Sequence, residues 1–140
     1  LRVVVLAILI VGISIMSSQS VSASSINVSG NATLTINSAT AGQQPGSVTN
    51  STTTLTWNGI VANTSVAVST NIASPKFTLK VLATSVDGGT AAPEVTLTTT
   101  AQTLVNVTDN GSCTLKYTGS TTISAGVGTD IHTITFTLQL

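Results

Sequence analysis

From Ser25 onward, apolar and polar positions alternate with a period of two, the mark of strands with one face buried and the other in water. Ala32, Leu34 and Ile36 share one face of Asn31–Asn37, and Leu55 and Trp57 oppose Thr54 and Thr56. Phe77, Leu79 and Val81 point one way, with Thr78 and Lys80 the other; Val95 and Leu97 share a side of Glu94–Thr99. Cys113, Leu115 and Tyr117 alternate with Thr114 and Lys116. The cleanest run is His132–Leu140, where Ile134, Phe136, Leu138 and Leu140 alternate with Thr133, Thr135, Thr137 and Gln139. Fainter strands are expected over Val61–Ser69 and Leu104–Thr108. Between these runs lie turn signals: Ala41–Gly46, Asn58-Gly59, Ser74-Pro75, Asp87-Gly88-Gly89, Asp109-Asn110-Gly111 and Gly126–Gly128. The pattern predicts an all-β domain over 24–140. Its form would be an immunoglobulin-like two-sheet sandwich of seven or eight short antiparallel strands.

The first 23 residues read differently. Val3–Met16 is an uncharged run of 14 residues behind Arg2, carrying Val3, Val4, Val5, Leu6, Ile8, Leu9, Ile10, Val11, Ile13, Ile15 and Met16. As a short apolar helix it would be roughly 21 Å long, less than the ~30 Å core of a bilayer. Two readings stay open. The run is the apolar core of a secretory signal, with Val21-Ser22-Ala23 as a small-residue cleavage site that releases a chain starting at Ser24. Alternatively it is retained and polymerises with its copies. Both readings take the chain out of the cytoplasm, with a membrane involved only before assembly or secretion.

Composition sharpens this picture. Only 6% of the 140 residues are charged and the formal net charge is zero, against roughly 25% charged residues in an ordinary soluble domain. A chain without net field has no means to attract a polyanion, so nucleic-acid binding is set aside. Disorder does not follow, because 41% of residues are hydrophobic. Ser and Thr, 45 of the 140 residues, take over the wetting of the surface; Thr is also β-branched and favours strands. Cys113 is the only cysteine, so no intramolecular disulfide can form and packing must hold the fold. Its lone near neighbour of positive charge, Lys116, falls on the opposite strand face, and a small buried hydrophobe is expected.

Six of the nine asparagines open an Asn-x-Ser/Thr sequon: Asn27, Asn31, Asn50, Asn63, Asn106 and Asn110. The Ser and Thr content would place about three by chance. Glycan at these sites would supply solubility that charge does not.

An apolar N-terminal stretch followed by a small, uncharged, Ser/Thr-rich β head resembles archaeal-type type IV pilins, or fimbria-like filament subunits, in broad plan across the whole chain. It lacks the acidic residue near the start of the apolar run that bacterial pilins carry. The resemblance implies a structural subunit that polymerises with copies of itself in a homopolymer at the cell surface and serves adhesion.

Chemistry-bearing residues are sparse. The acids are Asp87, Glu94, Asp109 and Asp130, and the only histidine is His132. Asp130 and His132 would project from one side of a strand, but no serine sits in a nucleophile-elbow context, so no catalytic residue is assigned. Asp87 and Asp109 lie in Gly-containing turns that could offer oxygens to a hard cation, yet no multi-carboxylate loop exists. No metal ligand and no cofactor are expected. A filament subunit is the leading reading, and a secreted, signal-cleaved binding or adhesion module that does not polymerise is its rival.

Overall fold

The computed structural model describes residues 2–9 and 24–140 of the chain. Among these the protein is all-β, with strands β1 (Arg2–Leu9), β2 (Ser25–Ser29), β3 (Ala32–Thr35), β4 (Val48–Asn58), β5 (Thr64–Thr70), β6 (Thr78–Ala91), β7 (Val95–Thr96), β8 (Gln102–Ser120) and β9 (Thr129–Gln139). One 3-10 turn lies at Ile123–Ala125. The strands join in a single hydrogen-bonded path, β2-β4-β8-β5-β9-β1-β3, with β6 branching from β8 and β7 pairing with β6. The two ends of that path are consecutive in sequence. Only Gly30 and Asn31 separate β2 from β3, so the sheet curls into a nearly closed, barrel-like shape. The crossing is tight: Gly30 has φ +94, and a Cβ there would lie 2.9 Å from the Thr52 carbonyl oxygen. Side chains bridge the same gap, with Thr52 Oγ1 donating to Asn31 O and Asn50 Nδ2 to Thr33 O.

Alternation in the sequence becomes inside and outside. Leu55, Trp57, Val66, Phe77, Leu79, Val81, Leu104, Leu115, Tyr117, Ile134 and Phe136 form one continuous buried cluster. Burial of this kind is the main source of stability, at about 25 cal/mol per Å² of apolar surface removed from water. Trp57 is fully enclosed, and its ring N–H donates to Asp109 O at 2.8 Å.

Two expected turns are not turns. Asp87-Gly88-Gly89 and Asp109-Asn110-Gly111 face each other as irregularities inside a long antiparallel pairing of β6 with β8, which runs from Thr78↔Ser120 to Ala91↔Val105. The expected strands Leu104–Thr108 and Cys113–Tyr117 are therefore two arms of the one 19-residue strand β8. Its first arm pairs with β5 and its second with β4. Glycine makes the bend feasible: a Cβ on Gly111 would stand 2.0 Å from Asp87 O, and one on Gly88 2.4 Å from Asn110 O. A turn and a bulge share the same residue types, and only the partner strand tells them apart.

Of the expected N-terminal helix, residues 10–16 lie outside the described residues. Arg2–Leu9 is extended as β1, parallel to β9 from Arg2↔Thr129 to Leu9↔Phe136, and antiparallel to β3 from Arg2↔Thr35 to Val5↔Ala32.

Candidate functional site

The strands run between two ends of the molecule, and the residues with chemistry to offer divide between the ends and the sheet faces. At one end, the near pole, lie the loops 36–47, 71–77 and 121–128. At the other, the far pole, lie the β4–β5 loop and the bend of the β6–β8 hairpin. The far pole is knitted by Asn110 Oδ1, which accepts from Ile60 N, and by Ser24 Oγ, which donates to Gly59 O.

Hydroxyls tile the outward face of the β2-β4-β8-β6 region. Strand register sets Ser29, Thr54, Thr114 and Thr84 in one row and Asn27, Thr56, Ser112 and Asp87 in the next. Neighbours within a row are about 4.8 Å apart, the spacing of paired strands. Charge enters this face sparingly, through Asp87, Lys116 and the Lys80–Glu94 ion pair at 3.5 Å.

His132 is the one fully buried histidine of the chain. Its partner is the hydroxyl of Thr70, 2.9 Å from Nδ1, while Nε2 has no hydrogen-bond partner. Burial lowers its pKa and the Asp130 carboxylate opposes that shift. Asp130 is engaged elsewhere, accepting from Phe77 N at 2.8 Å. The pairing of His132 with Thr70, 62 residues away, is the contact that sequence reasoning missed. Nothing local marks Thr70, since the link exists only because β5 and β9 pair at Thr70↔Ile134.

Cys113 is buried, and desolvation pushes its thiol up to about 12 from 9.0. A thiol so placed is a poor nucleophile near neutral pH. Burial, with the nearby Cys113, also raises the Tyr117 phenol. Tyr117 OH and Thr53 Oγ1 are buried without hydrogen-bond partners. Asp87 and Asp109 are exposed at the far pole, where Asp109 Oδ1 accepts from Asn110 N. Among the described residues no three His, Cys, Asp or Glu side chains are grouped to hold a metal ion.

The sequons fall into two sets. Asn27, Asn31, Asn63 and Asn106 are exposed. Asn50 and Asn110 are tied into the structure: Asn50 Oδ1 accepts from Thr52 N and Thr52 Oγ1, and Asn110 Oδ1 accepts from Ile60 N. Of the expected polymerisation segment, Val3, Val4, Val5, Leu6, Ile8 and Leu9 lie in β1, whereas Ile10, Val11, Ile13, Ile15, Met16 and the cleavage position Ala23 lie outside the described residues. Among the described residues, no helix is long and apolar enough to cross a membrane.

An open groove of about 340 Å³ marks the near pole, lined by residues that include Ile36, Pro45, Thr122, Ile123 and Val127. Lys76 Nζ donates to the carbonyl of Val127 on its rim.

No family model, no curated protein and no solved structure matches this chain.

Proposed function

We propose that this chain is a structural subunit of an extracellular pilus- or fimbria-like filament, polymerising through its N-terminal segment and through contacts of an immunoglobulin-like two-sheet head. The observation that carries this reading is the seat of β1. An almost wholly apolar strand lies along the open edges of β9 and β3, eight residues deep on one side and four on the other. Residues 10–24 separate it from the next strand. A strand on so long a tether is an element that copies of a chain can share, because the edge it fills has the same hydrogen-bonding groups whichever copy supplies it. The scarcity of charged residues on the outward faces supports the same reading, since monomers normally guard such surfaces with Lys or Pro. Adhesion would be the service of such a filament, and the exposed sequons would carry its glycan.

Electron microscopy of the purified full chain tests the proposal: filaments are expected, and dispersed monomers across solution conditions would overturn it. A second reading, a secreted module cleaved after Ala23, is favoured by one observation. Cleavage there keeps the residues of β2 through β9 and of the cluster they form, and removes the β1 partner of β3 and β9. Intact mass separates the two, because a chain starting at Ser24 has lost the N-terminal segment on which the first reading depends.

A further inference from the structure

We infer that copies of this chain join end to end, the near-pole groove of Ile36, Pro45, Ile123 and Val127 receiving the Val61 side of the next copy's far pole. This deepens the filament reading and rests on it; it names the contact along the filament axis.

Three observations carry it. First, among residues 24–140 four of the five exposed large hydrophobic residues sit at the poles, and the fifth, Ile131, lies near the start of β9. Val61 at 53% exposure and Leu140 at 71% lie at the far pole; Ile123 at 57%, Val127 at 90% and Ile131 at 62% lie at or beside the near pole. The faces between them carry the hydroxyl rows. Exposed apolar surface at two opposite ends calls for cover at both. A partner of another kind, seated on one pole, leaves the other bare. A second copy covers both with one type of contact.

Second, the two ends differ in shape. The near pole is concave, with the groove between the 36–46 and 121–128 loops. The far pole carries Val61 and Ala62 on the loop between β4 and β5, both exposed. Two unlike surfaces on opposite ends make a heterologous contact, which repeats without closing when the ends oppose each other.

Third, charge agrees. Asp87 and Asp109 are exposed at the far pole, and neither forms an ion pair among the described residues. Lys76 is exposed on the groove's rim, while Asp130 at the same end is turned to the Phe77 N–H. Opposite charges across an interface steer association and reject reversed docking.

Paired cysteines test this contact. Val61→Cys and Val127→Cys placed in one chain and oxidised under assembly conditions are expected to give a ladder of covalent oligomers, and each single variant only monomers. Cys113 is buried and adds no background. Ala62→Cys with Ser124→Cys is an independent pair at exposed loop positions, and the fluorescence of buried Trp57 verifies that each variant is folded. Filaments without a ladder from either pair would overturn the end-to-end contact and leave the filament reading standing. Dimers from a single variant would overturn it as well, because they reveal like ends meeting. Wild-type chains that form no filaments would remove both. Lys76→Glu is expected to raise the critical concentration about fivefold, with Asp87→Lys and Asp109→Lys in the same chain restoring it; an unchanged critical concentration would remove the charged part of the contact.

Discussion

Two seams hold the barrel, and they are built in opposite ways. The β6–β8 seam is antiparallel, joins strands ten residues apart in the chain, and is shaped at its bend by Gly88 and Gly111 where no side chain would fit. The β1–β9 seam is parallel and joins the two ends of the described chain. One joins strands close in the chain and is fitted around Gly88 and Gly111; the other pairs strands far apart in the chain and so carries the larger loop-closure cost. The difference teaches where the molecule can be opened. A seam that depends on glycine contacts has one partner, whereas under the filament proposal the backbone ladder of β1 and β9 is the seam that another copy would fill.

The largest effect expected is at the bend. Gly111→Val drives a Cβ toward Asp87 O and should remove more than about 4 kcal/mol of stability, read as failure to fold or a collapsed denaturant midpoint. Proline then compares the seams directly. Thr114 pairs with Thr54 on one side and Thr84 on the other, so Thr114→Pro should cost about 3 kcal/mol or more. Ala7→Pro, in the β1–β9 ladder alone, should cost about 1 kcal/mol. Equal losses in urea titrations would break the contrast.

Acid and alkali sharpen it, because buried titrating groups lie on both sides of the comparison, His132 in β9 and Cys113 and Tyr117 in β8. His132, paired with Val5 across the β1–β9 seam, has a folded pKa below its ordinary 6.5. The unfolded chain therefore binds the proton first, and His132 contributes stability that is complete above pH ~6.5 and lost as pH falls below it. Denaturant midpoints at pH 7 and pH 5 should differ in the wild type and converge in His132→Gln. Cys113, in β8, shifts the other way: its folded pKa is about 12 against 9.0. Its contribution is complete below pH 9 and lost as pH rises toward 12, and Cys113→Ala should flatten that alkaline slope. The smallest effect is at Tyr117, whose hydroxyl is buried without a partner. Tyr117→Phe removes an unpaired polar group and should leave stability within about 0.5 kcal/mol of wild type, or above it.

How much of this was legible in the sequence follows from the same contrast. The core was, because alternation at Ala32-Leu34-Ile36, Phe77-Leu79-Val81 and Ile134-Phe136-Leu138 is a local property that survives into burial. Cys113 as a buried hydrophobe and Trp57 as a core anchor were legible on the same ground. The continuity of β8 was not, because Asp109-Asn110-Gly111 has the composition of a hairpin turn and becomes a bulge only against Asp87-Gly88-Gly89. Nor was the register of β1, since an apolar run without alternation carries neither a strand period nor a partner's address. The polar ends of the molecule were equally hidden: Val61, Ile123 and Val127 are unremarkable in sequence, and only the fold sorts them onto opposite poles.

The strand direction has a mechanical meaning. Strands β4, β5 and β9 and each arm of β8 run between the poles, so a load passed between the poles pulls along their axes. Tension in that direction shears each ladder, and its hydrogen bonds share the force instead of peeling one after another. Rupture under load is governed by the barrier to unfolding rather than by the equilibrium stability. A domain of modest stability can thus serve as a link that yields slowly when stretched, and the glycine-fitted bend of β6 and β8 is where its resistance would be anchored.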